Sequence, residues 1–281
     1  MIILADSGST KTTWRFWENS KVRTVKTSGI NPYYLSQAEI EETLRKELVP
    51  LIGEPSVVAS VFFYGAGLGN EDRKRDVYIP LHFVFRHASI EVDHDLMAAA
   101  RALLRHDSGI ACIAGTGSNS CYYDGRNITE NVTSLGLYLG DEGSGGYKGK
   151  LLITDYLRNK LPGDLKEQFE ETYKDRTADI LDKIYKKPMP NRYLASFMSF
   201  ILDHQKEEYM RNLISRSFRA FIEENVARYA GWKDEKIAFV GSVAYLCRHH
   251  LQELANEMEF ELGEIIQDPI NALTEFHSIK N

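Results

Sequence analysis

Three short turns rich in glycine, serine and threonine could bind phosphate. They span residues 6–11, 115–119 and 140–146, and their sequences are DSGSTK, GTGSN and GDEGSGG. Such turns can direct several backbone N–H groups at the oxygens of a phosphate, because small side chains leave the approach open. Each turn alone is weak evidence, since glycine and serine are also the usual residues of tight turns.

Aspartates stand beside these turns, where phosphoryl transfer would use them. Asp6 ends the first apolar run, Asp95 lies at a predicted strand-to-helix junction, and Asp141 is inside the third turn. Phosphoryl transfer needs carboxylate-bound magnesium and a base that accepts the proton of the acceptor hydroxyl. Strand ends in α/β sheets face the ligand crevice, so these positions suit such a site. Taken singly, Asp6 could bond N–H groups of its own turn, Asp95 could be a helix N-cap, and Asp141 could belong to a solvated loop.

Two familiar nucleotide-binding motifs are absent. The segment GSTKTT contains a lysine followed by threonine, but a P-loop requires a glycine directly before that lysine and another five residues earlier. No G-x-G-x-x-G motif opens a helix, which argues against a dinucleotide site.

Composition and charge exclude several classes of protein. The chain has 281 residues, which allows one large domain or two medium ones with a buried core. Its net charge of −6 argues against a general nucleic-acid binder. The longest mainly apolar run, residues 57–63, is far shorter than the roughly 20 residues of a membrane span. Cys112, Cys121 and Cys247 form no Cys-x-x-Cys pair, so we expect a reduced, soluble, cytoplasmic protein.

The first hundred residues alternate between strand and helix patterns. An apolar strand, an alternating strand and a third strand predict an antiparallel start, and Ser36 with Glu39 forms the capping box of a following helix. The predicted strands are residues 2–5, 12–17, 22–27, 56–64 and 89–92, and the predicted helices are residues 36–48 and 95–105.

The pattern of strand, small-residue turn and strand begins again at Gly109. Aligning ADSGST with AGTGSN matches Gly8 with Gly117 and Ser9 with Ser118, a weak internal repeat that predicts two related lobes. After Gly149 the chain becomes helical, with a 3.6-residue apolar period over residues 207–229. A last predicted strand, residues 236–240, precedes a Gly-Ser turn and another helix. Strands mixed with helices indicate an α/β fold.

Five motifs together resemble a known family. ADSGSTKT, VDHDLMAAA, IAGTGSNS, LGDEGSGG and FVGSVA occur in the order found in the N-acetylglucosamine kinase and BadF/BadG/BcrA/BcrD ATPase family of the sugar kinase, Hsp70 and actin superfamily. The resemblance implies an α/β protein of two ribonuclease-H-like, actin-like ATPase lobes with ATP and substrate bound in the interlobe cleft. It implies residues 1–108 as the sugar and phosphate-loop lobe, and residues 109–281 as the nucleotide lobe with a helical insertion.

The resemblance also implies roles for individual residues. Asp95 matches the catalytic base, and Asp6 matches the acid associated with magnesium, acting through water. The residues that match the ATP and phosphate sites are Gly8, Ser9, Thr10, Lys11, Thr116, Gly117, Gly241 and Ser242. The residues that match the sugar site are Asn31, Ala66, Gly67, Asp95, Ser118, Asn119 and Asp141.

The sequence departs from the family pattern at two places. The family commonly has Asp-Gly-Gly-Gly-Thr, whereas this chain has Ser7 and Ser9 in place of two glycines. Serine can present the same backbone N–H groups provided that neither position needs a positive φ. The family also often has asparagine before the base, where this chain has His94, to which no role is assigned.

The resemblance predicts an ATP- and Mg²⁺-dependent kinase that phosphorylates an amino sugar, N-acetylglucosamine or glucosamine, at the 6-hydroxyl. We expect a homodimer, because that is the common assembly of soluble enzymes. The alternative is a BadF/BcrA-type ATPase that drives a partner protein. Those relatives carry an iron–sulfur cluster, which needs paired cysteines that this sequence lacks. Sugar-sensing repressors of related fold usually begin with a helix-turn-helix, for which the first strand at Ile2 is expected to leave no room.

Overall fold

The computed structural model describes residues 1–8, 11–18 and 21–278 of the chain. Ser9 and Thr10, two predicted phosphate-binding residues, therefore lie outside the described residues. The described residues divide into two compact units. Unit 1 comprises Met1–Arg105 together with residues 269–278, and unit 2 comprises His106–Asp268.

The described residues of unit 1 form a five-stranded sheet with the order β3-β2-β1-β4-β5. Its strands are β1 (Ile2–Ser7), β2 (Lys11–Glu18), β3 (Lys21–Ser28), β4 (Ser60–Gly65) and β5 (Ser89–His94). The first three strands are antiparallel, as predicted, whereas β4 and β5 run parallel to β1. Ser7 pairs with Gly65, and Gly65 pairs with His94. The last residues of three parallel strands therefore meet at one edge of the sheet.

Helices cover this sheet. They are α1 (Gln37–Thr43), α2 (Val49–Ile52), α3 (Glu71–Val84), α4 (Asp95–Leu104) and the C-terminal helix (Ile270–Ser278). The predicted capping box of α1 is present, because Ser36 and Glu39 each bond the other's backbone N–H. A π-helical turn, Leu44–Leu48, follows α1. The core between the sheet, α1 and α3 contains Trp14, Phe63 and Leu81, all buried.

The C-terminal helix packs within unit 1, whereas the sequence analysis placed residues 109–281 in the second lobe. His277 lies 2.9 Å from the Tyr64 hydroxyl through Nε2 and stacks on the Phe62 ring. An exposed ion pair joins Arg105 to Glu275 at 3.1 Å. The helix covers the face of the sheet that carries Phe62 and Tyr64. His277 contacts residues more than 200 positions earlier in the chain, which local patterns do not reveal.

The described part of unit 2 forms a second five-stranded sheet with the order β10-β9-β6-β7-β8. Its strands are β6 (Gly109–Ala114), β7 (Ser118–Tyr123), β8 (Ile128–Glu130), β9 (Ile237–Val240) and β10 (Leu262–Ile266). β7 and β8 are antiparallel to their neighbours, and β9 and β10 run parallel to β6. Read from β8 to β10, the strand order and directions repeat those of unit 1. The α/β fold of two ribonuclease-H-like lobes is therefore confirmed.

The helices of unit 2 lie mostly between β8 and β9. They are α5 (Gly136–Leu139), α6 (Gly145–Leu157), α7 (Gly163–Thr172), α8 (Thr177–Tyr185), α9 (Pro190–Ala195), α10 (Met198–Asp203), α11 (Glu208–Glu224), α12 (Ser242–Leu246) and α13 (Arg248–Met258). The apolar stripe predicted over residues 207–229 is the buried side of α11, with Leu213, Phe218 and Phe221 in the core.

Two predicted boundaries were wrong. The strand predicted over residues 56–64 begins only at Ser60, because Pro55–Val57 forms a 3-10 turn. Ser118 and Asn119, predicted as turn residues, open β7 instead. Within the ranges that the structure describes, none of the helices combines the length and the apolar composition that crossing a membrane requires.

Candidate active site

The first glycine turn begins where β1 ends. Asp6 is half-buried in β1 and stands in register with Thr13 on β2 and Tyr64 on β4. The Gly8 N–H donates to the Lys11 carbonyl at 3.0 Å. Lys11 itself is exposed at the start of β2.

Ser7 fastens this turn to a neighbouring loop. Its buried Oγ donates to the Ile30 carbonyl at 2.9 Å, accepts the Ile30 N–H at 3.0 Å, and lies 2.7 Å from Thr12 Oγ1. Its backbone has no positive φ, so a serine replaces the family's glycine without strain. Sequence reasoning assigned Ser7 no role, and its departure from the family pattern was the available signal.

Asn31, Ala66 and Gly67 lie together beside the end of β1. Asn31 is buried, and its Oδ1 accepts the Tyr33 N–H at 2.9 Å. The Ala66 N–H donates to the Ser7 carbonyl at 2.9 Å. Gly67 has a φ of +82°, and a Cβ at this position would collide with the Asn31 amide oxygen. The structure therefore brings these three predicted sugar-site residues together within unit 1.

Asp95 is the first residue of α4, directly beyond the end of β5. Desolvation raises the pKa of its carboxyl to about 6, against the opposing effect of the Leu96 and Asp95 backbone N–H groups. The N-cap of α4 is His94, whose Nδ1 accepts the Met97 N–H at 3.2 Å. A carboxyl with such a pKa is ionised near neutral pH and more basic than an ordinary aspartate, as a general base should be.

Asp6 is a residue of unit 1 that could hold Mg²⁺. Across the ranges described, His, Cys, Asp and Glu side chains form no group of three or more that could hold a metal ion. Mg²⁺ usually keeps several waters and is held by one or two carboxylates together with substrate phosphates. A single half-buried carboxylate next to a glycine turn fits this mode of binding.

The second and third glycine turns are joined within unit 2. The Gly115 N–H donates to the Gly117 carbonyl at 2.9 Å, which closes the second turn. The third turn donates back to it, from Gly145 N–H to the Gly115 carbonyl at 2.8 Å and from Gly146 N–H to the Thr116 carbonyl at 3.0 Å. Thr116 is exposed next to these paired turns.

Ser118 orients the acid of the third turn. Its N–H donates to Asp141 Oδ1 at 3.4 Å, and its Oγ donates to the Glu142 carbonyl at 2.6 Å. Asp141 has a φ of +60° and is half-buried. Desolvation raises the pKa of Asp141, and the Glu142 charge raises it further, whereas the Ser118 N–H and Lys150 act in the opposite direction.

Asn119 makes hydrogen bonds within unit 2. Its Oδ1 accepts the Ser120 N–H at 2.9 Å and the Asn131 Nδ2 at 3.1 Å. Ser118 and Asn119 thus support the Asp141 turn and the start of β7, and their contact with sugar stays a prediction.

Gly241 and Ser242 lie beside the second turn. Gly241 follows β9 with a φ of +130°, and its N–H donates to the Ile266 carbonyl at 3.0 Å. A Cβ at Gly241 would collide with the carbonyl of Ala114, the residue before the second turn. Ser242 begins α12. The second turn, the third turn and the Gly241-Ser242 turn are thus neighbours at one edge of the sheet of unit 2.

Lys148 is a buried residue that sequence reasoning missed. Its Nζ donates to the Gly143 carbonyl at 2.5 Å and lies 3.5 Å from the centre of the Phe218 ring. Desolvation lowers the pKa of Lys148 to about 7. Its spacing from Gly145 and Leu152 on α6 places it on the buried helix face, which was the available signal.

A cavity of about 440 Å³ in unit 2 lies beside the Asp141 turn. Its lining includes Ser118, Leu139, Asp141, Tyr147 and Glu224. Both polar and apolar side chains therefore line a space next to a predicted sugar-site acid, as in sites for small molecules.

Solved structures resemble the chain over its full length. A Porphyromonas gingivalis protein provisionally named N-acetylglucosamine kinase is 41% identical, with a TM-score of 0.93 over 99% of this chain and 98% of that one. A provisionally named N-acetylglucosamine kinase from Chromobacterium violaceum is 16% identical, with a TM-score of 0.65 over 98% of each chain. A provisionally named sugar kinase from Cytophaga hutchinsonii is 13% identical, with a TM-score of 0.59 over 100% of each chain. These last two show the shared fold alone.

No model of a known protein family matches the chain, and no curated protein matches it either.

Proposed function

The chain belongs to the N-acetylglucosamine kinase and BadF/BadG/BcrA/BcrD ATPase family of the sugar kinase, Hsp70 and actin superfamily, and from this premise we propose that it transfers the γ-phosphoryl group of ATP to the 6-hydroxyl of an amino sugar. The acceptor is N-acetylglucosamine or glucosamine. The coarser activity, an ATP-dependent sugar kinase, rests on family membership. The identity of the sugar and of its reacting hydroxyl rests on the resemblance of the motifs.

The half-buried carboxyl of Asp95 is the observation that carries the proposal. It has the raised pKa of a base, and it follows β5 at the sheet edge where β1 and β4 also end. Asp95 accepts the proton of the sugar hydroxyl while that oxygen forms its bond to the γ-phosphorus and the bond to the β-phosphate oxygen breaks. The products are ADP and the sugar phosphate, and Asp95 then releases the proton to solvent.

Backbone N–H groups and small side chains bind ATP in this proposal. The first turn, with Gly8, Ser9, Thr10 and Lys11, and the second turn, with Thr116 and Gly117, hold phosphate oxygens. Gly241 and Ser242 lie against the adenosine. Asp6 would hold Mg²⁺ through water, and the ion would neutralise charge on the phosphates. Two of these residues, Ser9 and Thr10, lie outside the described residues.

The predicted sugar-site residues contact the sugar in this proposal. Asn31, Ala66 and Gly67 form a wall in unit 1, which Ser7 and the Ala66 N–H hold against β1. Asp141 contributes a carboxylate from unit 2, with Ser118 and Asn119 next to it. Multiple fixed contacts place the hydroxyl for attack, and positioning is the main source of rate in phosphoryl transfer.

The proposed enzyme is a homodimer in the cytoplasm. Closed two-fold dimers are the commonest assemblies of soluble enzymes, and three buried thiols suit a reducing compartment. Light scattering at several concentrations measures the assembly directly, and a mass of one chain would contradict it.

The test is release of ADP from Mg-ATP with a panel of sugars, for the wild type, Asp95→Asn and Asp164→Asn. Asp164 is a matched control, because it is an exposed aspartate in the first turn of α7. We expect one amino sugar to stimulate turnover, a 6-phosphate product by ³¹P NMR, and a loss on the order of 10³-fold in Asp95→Asn only. ATP turnover that ignores every sugar and the Asp95 substitution would overturn the kinase and favour the partner-driving ATPase.

A further inference from the structure

His94 occupies the position that controls the first turn of α4. It is the N-cap of the helix, and its Nδ1 accepts the Met97 N–H at 3.2 Å. Because Nδ1 accepts, a neutral His94 carries its proton on Nε2, which lies 3.7 Å from Asp93 Oδ1. Asp93 Oδ1 in turn accepts the His94 backbone N–H at 2.9 Å. Both the backbone and the ring of His94 are therefore held in the capping geometry.

The capping bond matters because the base lies in the same helical turn. Asp95 is the acidic residue of the first turn of α4. A helix begins with N–H groups that lack intrahelical partners, and a nearby carboxylate readily accepts them. Each such bond stabilises the ionised carboxylate and lowers its pKa. While the His94 ring accepts the Met97 N–H, the Asp95 carboxylate is spared that bond.

We propose that His94 is a positioning residue for phosphoryl transfer. It caps α4, so that the Asp95 carboxylate does not accept the Met97 N–H and stays basic and directed at the acceptor. The proposal rests on the proposed function for its kinetic consequence. The hydrogen-bond geometry that it invokes is independent of any substrate.

The surroundings keep the His94 ring in the neutral form that this role requires. Burial lowers the pKa of His94, and the positive charges of Lys74 on α3 and Arg101 on α4 lower it further, against the raising effect of Asp93 on β5. Protonation would place an N–H on Nδ1, opposite the Met97 N–H, and would put a cation at a helix N-terminus, where the dipole disfavours it. Acid therefore removes the cap as well as protonating the base.

The test compares His94→Ala with His94→Asn. Asparagine is a strong N-cap that does not titrate, so it restores the capping bond without the imidazole. We expect His94→Ala to lower kcat about tenfold, with little change in the KM for ATP, and to shift the acid limb of kcat/KM down by about one pH unit. We expect His94→Asn to restore both. The acid limb of the pH profile of His94→Asn should have the slope of a single protonation. The wild-type limb should be steeper, because both His94 and Asp95 take up a proton.

A direct titration separates this proposal from the kinase assignment. The pKa of Asp95, read from its carboxyl ¹³C shift, should fall in His94→Ala and return in His94→Asn, whether or not any sugar is phosphorylated. Ser36→Ala is the matched control, because it removes the N-cap of α1 in the same unit, and it should leave the Asp95 titration unchanged. An unchanged Asp95 pKa in His94→Ala would overturn the proposal, as would failure of asparagine to restore the wild-type value.

Discussion

At the scale of single residues, Asp95 shows how a base can cost stability. Burial raises the pKa of its carboxyl from 3.8 to about 6. Between these two pH values the folded protein keeps a proton that the unfolded chain has already released. The free energy of unfolding therefore falls as pH rises through this range. Above about pH 6 the folded state carries the full cost of a desolvated carboxylate.

Asp95→Asn should reverse this dependence, because an amide does not titrate. We expect the unfolding free energy of the variant, relative to wild type, to rise between pH 4 and pH 7 by on the order of 2 kcal/mol. Urea unfolding at several pH values measures the difference. Asp164→Asn is the control, and its unfolding free energy relative to wild type should change less with pH. If the difference between Asp95→Asn and wild type did not change with pH, the desolvation of Asp95 would be contradicted.

At the scale of elements, the third glycine turn depends on a lysine from the helix that follows it. Lys148 reaches back from α6 to the Gly143 carbonyl, and its own burial lowers its pKa to about 7. The unfolded chain keeps the lysine proton up to a pH near 10.5. The unfolded state therefore binds more protons between these values, and the free energy of unfolding rises with pH there.

Lys148→Met keeps the shape of the side chain but removes its charge and its donor. We expect wild type to gain about 3 kcal/mol over this variant between pH 7 and pH 9.5, measured by urea unfolding. Because the Asp141 turn loses its anchor, the KM for sugar should also rise. Lys160→Met, at an exposed lysine, is the control, and parallel pH curves for wild type and Lys148→Met would contradict the prediction.

The end of strand β1 also holds a loop in place. The Ser7 hydroxyl connects this strand to Ile30, directly before Asn31. Thr12 Oγ1 also accepts the Ile30 N–H, at 3.2 Å, so loss of the serine hydroxyl leaves one of the two acceptors for that group.

Ser7→Ala should therefore lower the free energy of unfolding by about 1–2 kcal/mol, because the Ile30 carbonyl and Thr12 each lose a buried partner. The KM for sugar should rise more than the KM for ATP, since Asn31 lies on the sugar side in the proposal. Steady-state kinetics and urea unfolding measure both effects. Thr24→Ala removes an exposed hydroxyl of the same sheet, and equal effects in the two variants would argue against a special role for Ser7.

At the scale of the whole molecule, one sheet topology occurs twice and the C-terminal helix belongs to the unit that contains the first strands. The C-terminal helix buries Ile270, Leu273 and Phe276 in unit 1. Its His277 meets Tyr64, which also accepts a hydrogen bond from Arg101 on α4. The stability of the unit that carries Asp95 therefore depends on residues almost two hundred positions further along the chain.

Leu273→Ala tests this dependence. Leu273 is fully buried, so truncation should cost about 2–5 kcal/mol. Hydrogen exchange should show lost protection in β1 and α4 of unit 1, with little change in β6 and β9 of unit 2. Glu275→Gln, which removes only an exposed ion pair on the same helix, should have a small effect, and equal loss of protection in both units after Leu273→Ala would contradict the prediction.

Short-range signals determined the features that the sequence predicted correctly. The capping box at Ser36, the antiparallel start of the first sheet and the small-residue turns depend on residues a few positions apart, and the repeat of these signals indicated two related sheets. The glycine turns and strand ends indicated three candidate acids, and the family motifs suggested the roles of the site residues. Helix α3 was not predicted, because its first half is charged and Pro80 lies within it.

Only the tertiary structure decided what each polar residue contacts. It made His94 rather than Asp95 the cap of α4, buried Ser7 against Ile30, and turned Lys148 toward Gly143. It also placed the C-terminal helix in unit 1. These outcomes depend on burial and on hydrogen-bond partners supplied by other elements, often distant along the chain. A local pattern can identify a residue able to do chemistry. The surrounding fold then sets its pKa through desolvation and supplies its hydrogen-bond partners.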